Sequence, residues 1–332
     1  MPTIYDVAEA AGVSIATVSR VFSGRAPVTD ASRERVLAAA DALGYRPNRM
    51  AQALAGGRTK ALGLVMPFTL SNPFYTRIAE ALIAHGRQRG FEILFALAER
   101  TDPDSYIDAQ KSLLDRQVQG LLIVSNTETA HLCREALPGD PPPMAAVGCL
   151  PERGLPLATV DEEDGGYRAT RHLIELGHRR IAFLGLAGMP PRPLGREHGY
   201  LRAMEEAQVE AHAIDTPVRL QDGEQALDAV LRQVPDATAV FAQNDALAIG
   251  LLRALAERGI RAPGELSVAG FDDLPMSALT VPSLTTVRVP VDAIAVEAMR
   301  LLLDSGDNGC DRQVVIGPEL VARESTGPPR GS

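Results

Sequence analysis

Apolar residues follow two rhythms along this chain, and the change comes near residue 60. Up to residue 45 they recur at helical spacing in three short stretches. Thr3 and Asp6 make a Thr-x-x-Asp start signal for a helix over Ile4–Ala11, and Gly12 breaks it. Ser14 can cap a second helix, Ile15–Phe22, which Ser23-Gly24 ends. Thr29 or Asp30 can cap a third that runs to Leu43, with Gly44 as its stop. Val36, Leu37, Ala40 and Leu43 then form one apolar face. Between Pro47 and Gly56-Gly57, Asn48–Ala55 spans about two helical turns, too few to stand alone in water.

From residue 61 short apolar runs alternate with amphipathic stretches. Strands are predicted at Ala61–Met66, Phe91–Leu97, Gly120–Ser125, Met144–Val147, Arg180–Leu184, Ala239–Gln243 and Leu266–Phe271. Helices are predicted at Phe74–Arg89, Ser105–Gln117, Gly165–Leu176, Arg196–Ala207, Asp222–Gln233, Asp245–Arg258 and Val291–Leu303. This alternation predicts a doubly wound parallel sheet. The segment is too long for one ordinary sheet, so two α/β lobes of roughly 130 residues each are expected.

Charge sharpens that division. The 332 residues carry a net charge of -9, yet residues 1–60 alone carry +3. A basic head on an acidic body is what one end meeting phosphates requires. Composition narrows the class further. No apolar run approaches the roughly 18 residues of a membrane span. The first residues lack the basic stretch and apolar run of a secretory signal, so a cytoplasmic protein is expected. Cys133, Cys149 and Cys310 fit neither a disulfide framework nor metal-ligand spacing. There is no Gly-rich phosphate loop, no Ser/His/Asp signature and no metal-spaced His or Cys set, so neither an enzyme, a cofactor nor a metal is expected.

The head suits a helix-turn-helix, whose second helix lies in the major groove. Val7 and Ala8 or Ala11 pack on Val13 and Val18. Val21 also faces inward, while Ile15, Ala16, Ser19 and Arg20 face out. In the body, Asn244 and Asp272 each follow an apolar run, which puts them at strand ends, where open α/β sheets bind ligands. Asp272 can accept hydrogen bonds from hydroxyls, Asn244 can donate and accept, and Arg196 donates in a planar fork. Phe74 and Tyr75 can cover an apolar ligand face. His178, in its Gly-His-Arg turn, reads as structural.

These motifs closely resemble the lac-repressor (LacI/GalR) family. The head pattern stands as Thr3-Ile4-Tyr5-Asp6-Val7-Ala8, Ala11-Gly12-Val13-Ser14 and Ala16-Thr17-Val18-Ser19-Arg20-Val21, followed by Val28-Thr29 and Gly44-Tyr45-Arg46-Pro47-Asn48. The linker matches a hinge helix, Asn48–Leu54. Landmarks continue through Asn72-Pro73-Phe74-Tyr75, Gly177-His178-Arg179, Arg196, Asn244-Asp245, Val268–Asp273 and Pro282–Val287.

The resemblance implies a head at 1–46 and a hinge and linker at 47–60. It implies a lobe from 61–160 plus about 290–320, and a second from 161–289 plus about 321–332, like sugar-binding proteins of the periplasm. Ile15, Ala16 and Arg20 would read bases, Arg20 through a bidentate bond to guanine and the other two against thymine methyls. Thr3, Ser14, Thr17 and Ser19 would meet phosphates. Asn48, Ala51 and Leu54 would enter the minor groove, with Leu54 as the wedge. Phe74, Tyr75, Arg196, Asn244 and Asp272 would hold a small-molecule effector, most simply a sugar. The partners implied are a pseudo-palindromic double-stranded DNA operator and a second copy of the chain. No leucine heptad follows Leu320–Ser325, so a lac-repressor-like tetramer is not expected.

The implied function is a repressor of carbohydrate-utilisation genes, with a corepressor-dependent regulator answering to a purine or another metabolite as the alternative. A solute-binding protein would fit the body alone, but not the head. One departure bears on the ligand: where several sugar-responsive relatives carry an acid, this chain has Gly148-Cys149.

Overall fold

The computed structural model describes residues 2–23, 27–45, 60–67, 73–99, 102–125, 137, 142–148, 155–185, 195–304 and 312–330. The expected hinge helix, with Asn48, Ala51 and Leu54, lies outside these residues, as do Asn72 and all three cysteines.

The head contains α1 (Ile4–Ala11), α2 (Ile15–Ser23) and α3 (Asp30–Ala42). A capping box starts α1: Asp6 accepts hydrogen bonds from the Thr3 amide and hydroxyl at 2.7 and 2.9 Å. Gly12 ends it at φ 61°, a left-handed conformation that glycine adopts without strain. Ser14 Oγ then accepts from the Thr17 amide at 3.2 Å, which starts α2. Val7, Val18 and Val36 are fully buried at the junction of the three helices. The expected apolar face of α3 is only half right, because Leu37 and Leu43 are exposed while Val36 and Ala40 are buried. Each helical residue turns about 100°, which carries Leu37 off the stripe shared by Val36 and Ala40. Leu43 stands beyond the last helical residue, at the C-cap.

The body is built on two six-stranded sheets. The first runs β11-β5-β4-β3-β1-β2. Its strands are β1 (Ala61–Pro67), β2 (Glu92–Ala98), β3 (Leu121–Ser125), β4 (Met144–Gly148), β5 (Leu157–Val160) and β11 (Gln313–Ile316). Its helices among the described residues are α4 (Pro73–Gln88), α5 (Pro103–Leu114) and α10 (Val291–Asp304). The second runs β12-β10-β9-β8-β6-β7. It comprises β6 (Ile181–Gly185), β7 (His212–Asp215), β8 (Ala239–Ala242), β9 (Ser267–Asp272), β10 (Thr285–Arg288) and β12 (Glu319–Val321). Its helices are α6 (Glu162–Glu175), α7 (Gly195–Glu206), α8 (Gly223–Gln233) and α9 (Asp245–Glu257). β1, β6, β8 and β9 are buried along their whole length, as strands covered by helices on both faces must be.

All seven strands expected from the apolar runs are present. β5, β7, β10, β11 and β12 were not anticipated, and at three or four residues each they are too short to show a periodicity. The chain passes between the sheets after β5, after β10, and finally between β11 and β12 through Gly317-Pro318. Every pair in the first sheet is parallel, whereas β12 runs antiparallel to β10. The carboxyl ends of the two sheets therefore face one another. A strand passing straight from one sheet to the other must run with the first and against the second.

Candidate DNA-binding and effector sites

On α2, Ile15, Ala16, Ser19 and Arg20 are exposed, while Val18 and Val21 anchor the helix to the head core. The outward face thus joins a guanidinium to two small apolar surfaces, the chemistry that discriminates guanine and thymine in the major groove. Of the four hydroxyls expected at phosphates, three are already tied within the head. The Thr3 hydroxyl donates to Asp6, and Ser14 Oγ lies 2.9 Å from Thr17 Oγ1. These bonds hold the ends of α1 and α2 in register.

Two of the effector candidates, Arg196 and Asp272, meet at the carboxyl ends of β8 and β9. Arg196, in the first turn of α7, is the centre. Its Nε and Nη2 donate to Glu162 at 2.8 and 2.7 Å, a bidentate pair. Its Nη1 donates to the Gln243 carbonyl at 2.6 Å and lies 3.4 Å from Asp272 Oδ1. The guanidinium stacks 3.8 Å from the centre of the Phe271 ring, where charge and ring quadrupole attract. Close helix packing makes this possible: a side chain at Gly166 would run into the backbone carbonyl of Arg196. Two glycine contacts of this kind, Gly166 and Gly199, let α6 and α7 approach until Glu162 and Arg196 meet.

Asp272 is only 3% exposed, and its Oδ1 accepts no hydrogen bond among the described residues. Burial pushes its carboxyl up to about 8, against the lowering pull of Arg196. Burial wins because Arg196 is shared with Glu162, which takes the better-aligned bonds. Asp272 and Asp273 both have positive φ, 115° and 51°, strained for residues with a side chain. Their surroundings hold them there. Arg77 on α4 reaches across from the other lobe and donates to both carbonyls, at 3.0 and 2.8 Å. Arg288 and Arg323 clamp the Asp273 carboxylate and keep it well ionised, its pKa lowered despite partial burial.

The other expected residues are placed differently. Asn244 caps α9: its side-chain oxygen accepts from the Leu247 amide at 2.8 Å and its nitrogen donates to the Val218 carbonyl at 3.1 Å. Phe74 and Tyr75 are buried at 6% and 7% exposure and pack edge to face, with ring centres 5.7 Å apart. They share α4 with Arg77, the residue of that helix whose guanidinium reaches the second lobe. His178 ties the C-terminal segment to the second sheet through Thr238 Oγ1 and the Gly327 carbonyl, a structural part.

Sequence reasoning missed three residues of the cluster: Glu162, Arg77 and Asp245. Asp245 is fully buried, accepts from the Leu274 amide and the Ser277 and Thr286 hydroxyls, and fixes the turn after β9. Burial raises its carboxyl to about 6. Its place directly after Asn244, at a strand end, was the available signal. Glu162 and Arg77 lie on helix turns that periodicity reads as ordinary solvent faces.

Comparison with known proteins agrees with this architecture. Residues 3–48 match the family of bacterial regulatory proteins, lacI family, and residues 170–326 match a periplasmic binding protein-like domain. The HTH-type transcriptional regulator DegA of Bacillus subtilis is 35% identical, with 98% of each chain covered. Among solved structures, the lac repressor dimer bound to operator and the anti-inducer ONPF superposes with a TM-score of 0.86 at 29% identity, covering 98% of this chain and 99% of that one. A complex of the transcriptional regulator CelR with cellobiose gives 0.70 at 30% identity, covering 98% and 100%. These relatives are transcription regulators rather than enzymes. Head, body and near-complete coverage agree: the chain is a DNA-binding transcription regulator and belongs to the lacI family of bacterial regulatory proteins.

Proposed function

We propose that this regulator is a cytoplasmic, homodimeric repressor of carbohydrate-utilisation genes, released from its operator by a sugar that binds between the lobes. One observation carries the ligand class: the buried Asp272 Oδ1 accepts no hydrogen bond among the described residues, at the carboxyl ends of β8 and β9. A hydroxyl donor matches it, and sugars present several. The cellobiose complex of a relative supports the same class. Phe74, Tyr75, Arg196, Asn244 and Asp272 line this pocket, with Asn244 acting through its cap on α9. Ile15, Ala16 and Arg20 read bases, while Thr3, Ser14, Thr17 and Ser19 steady the head on phosphates. Asn48, Ala51 and Leu54 form the minor-groove hinge. The units of this reading are 1–46, 47–60, 61–160 with about 290–320, and 161–289 with about 321–332.

Dimerisation is supported by an apolar surface patch in the second lobe, where Leu279 and Val281 are 79% and 96% exposed beside Met276. A pseudo-palindromic operator matches such a two-fold pair. No helix among the described residues is long and apolar enough to cross a membrane.

The test is operator binding by fluorescence anisotropy at fixed salt, because phosphate contacts make affinity salt-dependent. The DNA comes from the protein's own upstream region. Release by one sugar from a panel supports the reading; binding that appears only with an added ligand assigns a corepressor instead. Arg20→Ala should cost about 1–3 kcal/mol of operator preference, and an unchanged preference removes Arg20 from the base-reading set. Leu54→Gly should weaken operator binding far more than binding to random DNA, and equal losses would sink the wedge.

A further inference from the structure

An arginine at the carboxyl ends of parallel strands would ordinarily select an acid. Its planar fork matches carboxylate or phosphate in two parallel bonds. Here the matching edge of Arg196, Nε with Nη2, already holds the two oxygens of Glu162. The other edge faces the Gln243 carbonyl and Asp272, and the flat face is covered by Phe271. Both side chains of the pair are nearly sealed, at 8% and 11% exposure.

Resting on the effector-pocket reading above, we propose that Glu162 determines the charge class of the ligand. It plugs the Arg196 fork, so the pocket takes neutral polyhydroxy compounds and rejects sugar acids and sugar phosphates.

The surrounding charges point the same way. The Glu162 carboxylate balances the one guanidinium of Arg196, and the Asp272 carboxyl beside them, protonated up to about 8, leaves no net positive charge there to hold an anion. Asp245 is turned into its own turn by Leu274, Ser277 and Thr286. Asp273 is taken by Arg288 and Arg323, and Arg77 is directed to two backbone carbonyls. An entering anion would have to expel Glu162 from the fork, leaving a buried carboxylate without its partner. A hydroxyl needs no such exchange: it donates to Asp272 Oδ1 while the fork stays closed. The plug is also rigidly placed. Glu162 begins α6 directly after the Asp161 cap, whose side chain accepts from the Asp164 amide at 2.9 Å. The glycine contacts between α6 and α7 fix its distance to Arg196.

The test is calorimetric titration of the full chain and of Glu162→Gln, with glucose, galactose and cellobiose as neutral probes and glucuronate and glucose 6-phosphate as anionic ones. The wild-type chain should bind a neutral probe at least tenfold more tightly than either anion. In Glu162→Gln the ratio of anion to neutral affinity should rise at least tenfold. Glu162→Ala, with its fold checked by circular dichroism, repeats the reading if the first variant does not fold. The proposal is overturned if the wild-type chain takes an anion as tightly as a neutral sugar. It is equally overturned if a folded variant leaves the ratio unchanged. A wild-type chain that binds none of the probes overturns the pocket reading and the proposal together. That outcome is distinct, because the wild-type chain itself fails rather than the comparison with its variants.

Discussion

The two lobes share one strand order, but they differ in what stands at their carboxyl ends. β4 and β9 occupy matching places in their sheets, each third from the edge strand that closes it. β4 ends at Gly148, whereas β9 ends at Asp272, followed by Asp273. The acid missing after β4 is thus present at the equivalent position of the other lobe, where Arg196 and Glu162 join it. The first lobe instead contributes Phe74, Tyr75 and Arg77 from one helix. The repeat supplies two similar frames, and among the described residues the polar grip is built on the second. On the proposed function, the described residues assign the ligand's polar contacts to the second lobe, with Phe74, Tyr75 and Arg77 of the first as wall and latch.

The strongest way to break this comparison is Asp272→Ala. It should weaken ligand binding by about a hundredfold, since a site made for hydroxyls loses its acceptor. Operator affinity without ligand should be unchanged. A titration in which the variant responds at the wild-type sugar concentration would remove Asp272 from the pocket. Next in size is Gly166→Ala. The added methyl meets the Arg196 carbonyl, so overpacking should cost about 1–3 kcal/mol in chemical denaturation. An unchanged midpoint would mean that the α6–α7 approach is not needed.

The third prediction concerns pH. Asp272 keeps its proton up to about 8 in the folded chain, whereas in the unfolded chain it titrates near its ordinary value of 3.8. Between those limits the folded state holds the extra proton, so this group's contribution to stability is greatest at low pH and falls as pH rises through the window. The slope should reach about 1.4 kcal/mol per pH unit for this one group. Denaturation of the wild type and of Asp272→Asn at pH 5, 6, 7 and 8 measures it. The stability difference should shift steadily in favour of the variant, and parallel curves would show that Asp272 is already ionised. The smallest effect is expected from Phe74→Leu in the first lobe, where the loss of aromatic cover should cost ligand affinity less than tenfold. A loss matching that of Asp272→Ala would reverse the roles of the lobes.

Much of this architecture was legible in the chain itself. Long apolar runs such as Ala61–Met66 and Leu266–Phe271 declared the central strands, and Gly12 with Ser14 declared the turn of the head. Asn244 and Asp272 could be put at strand ends because each follows such a run. What escaped was whatever depends on two distant segments meeting. Glu162 has meaning only when α7 lies against α6, and Arg77 only when the lobes meet. Asn244 stands at a strand end as its place after an apolar run implied, but the sequence did not show that its side chain would also cap α9. Leu37 and Leu43 looked buried because apolar character does not fix the angle at which a helix sits on its neighbour.

The final crossing, Gly317-Pro318, has a consequence for biosynthesis. β11 and β12 flank it, and they are the closing edge strands of the two sheets. Neither lobe can complete its sheet until residues 313–321 have left the ribosome. Until then β5 and β10 both present unpaired backbone, the kind of edge that recruits other strands. A chain broken off before residue 313 would lose the border of both lobes at once, so premature termination near the end should yield aggregate rather than a shortened but working regulator.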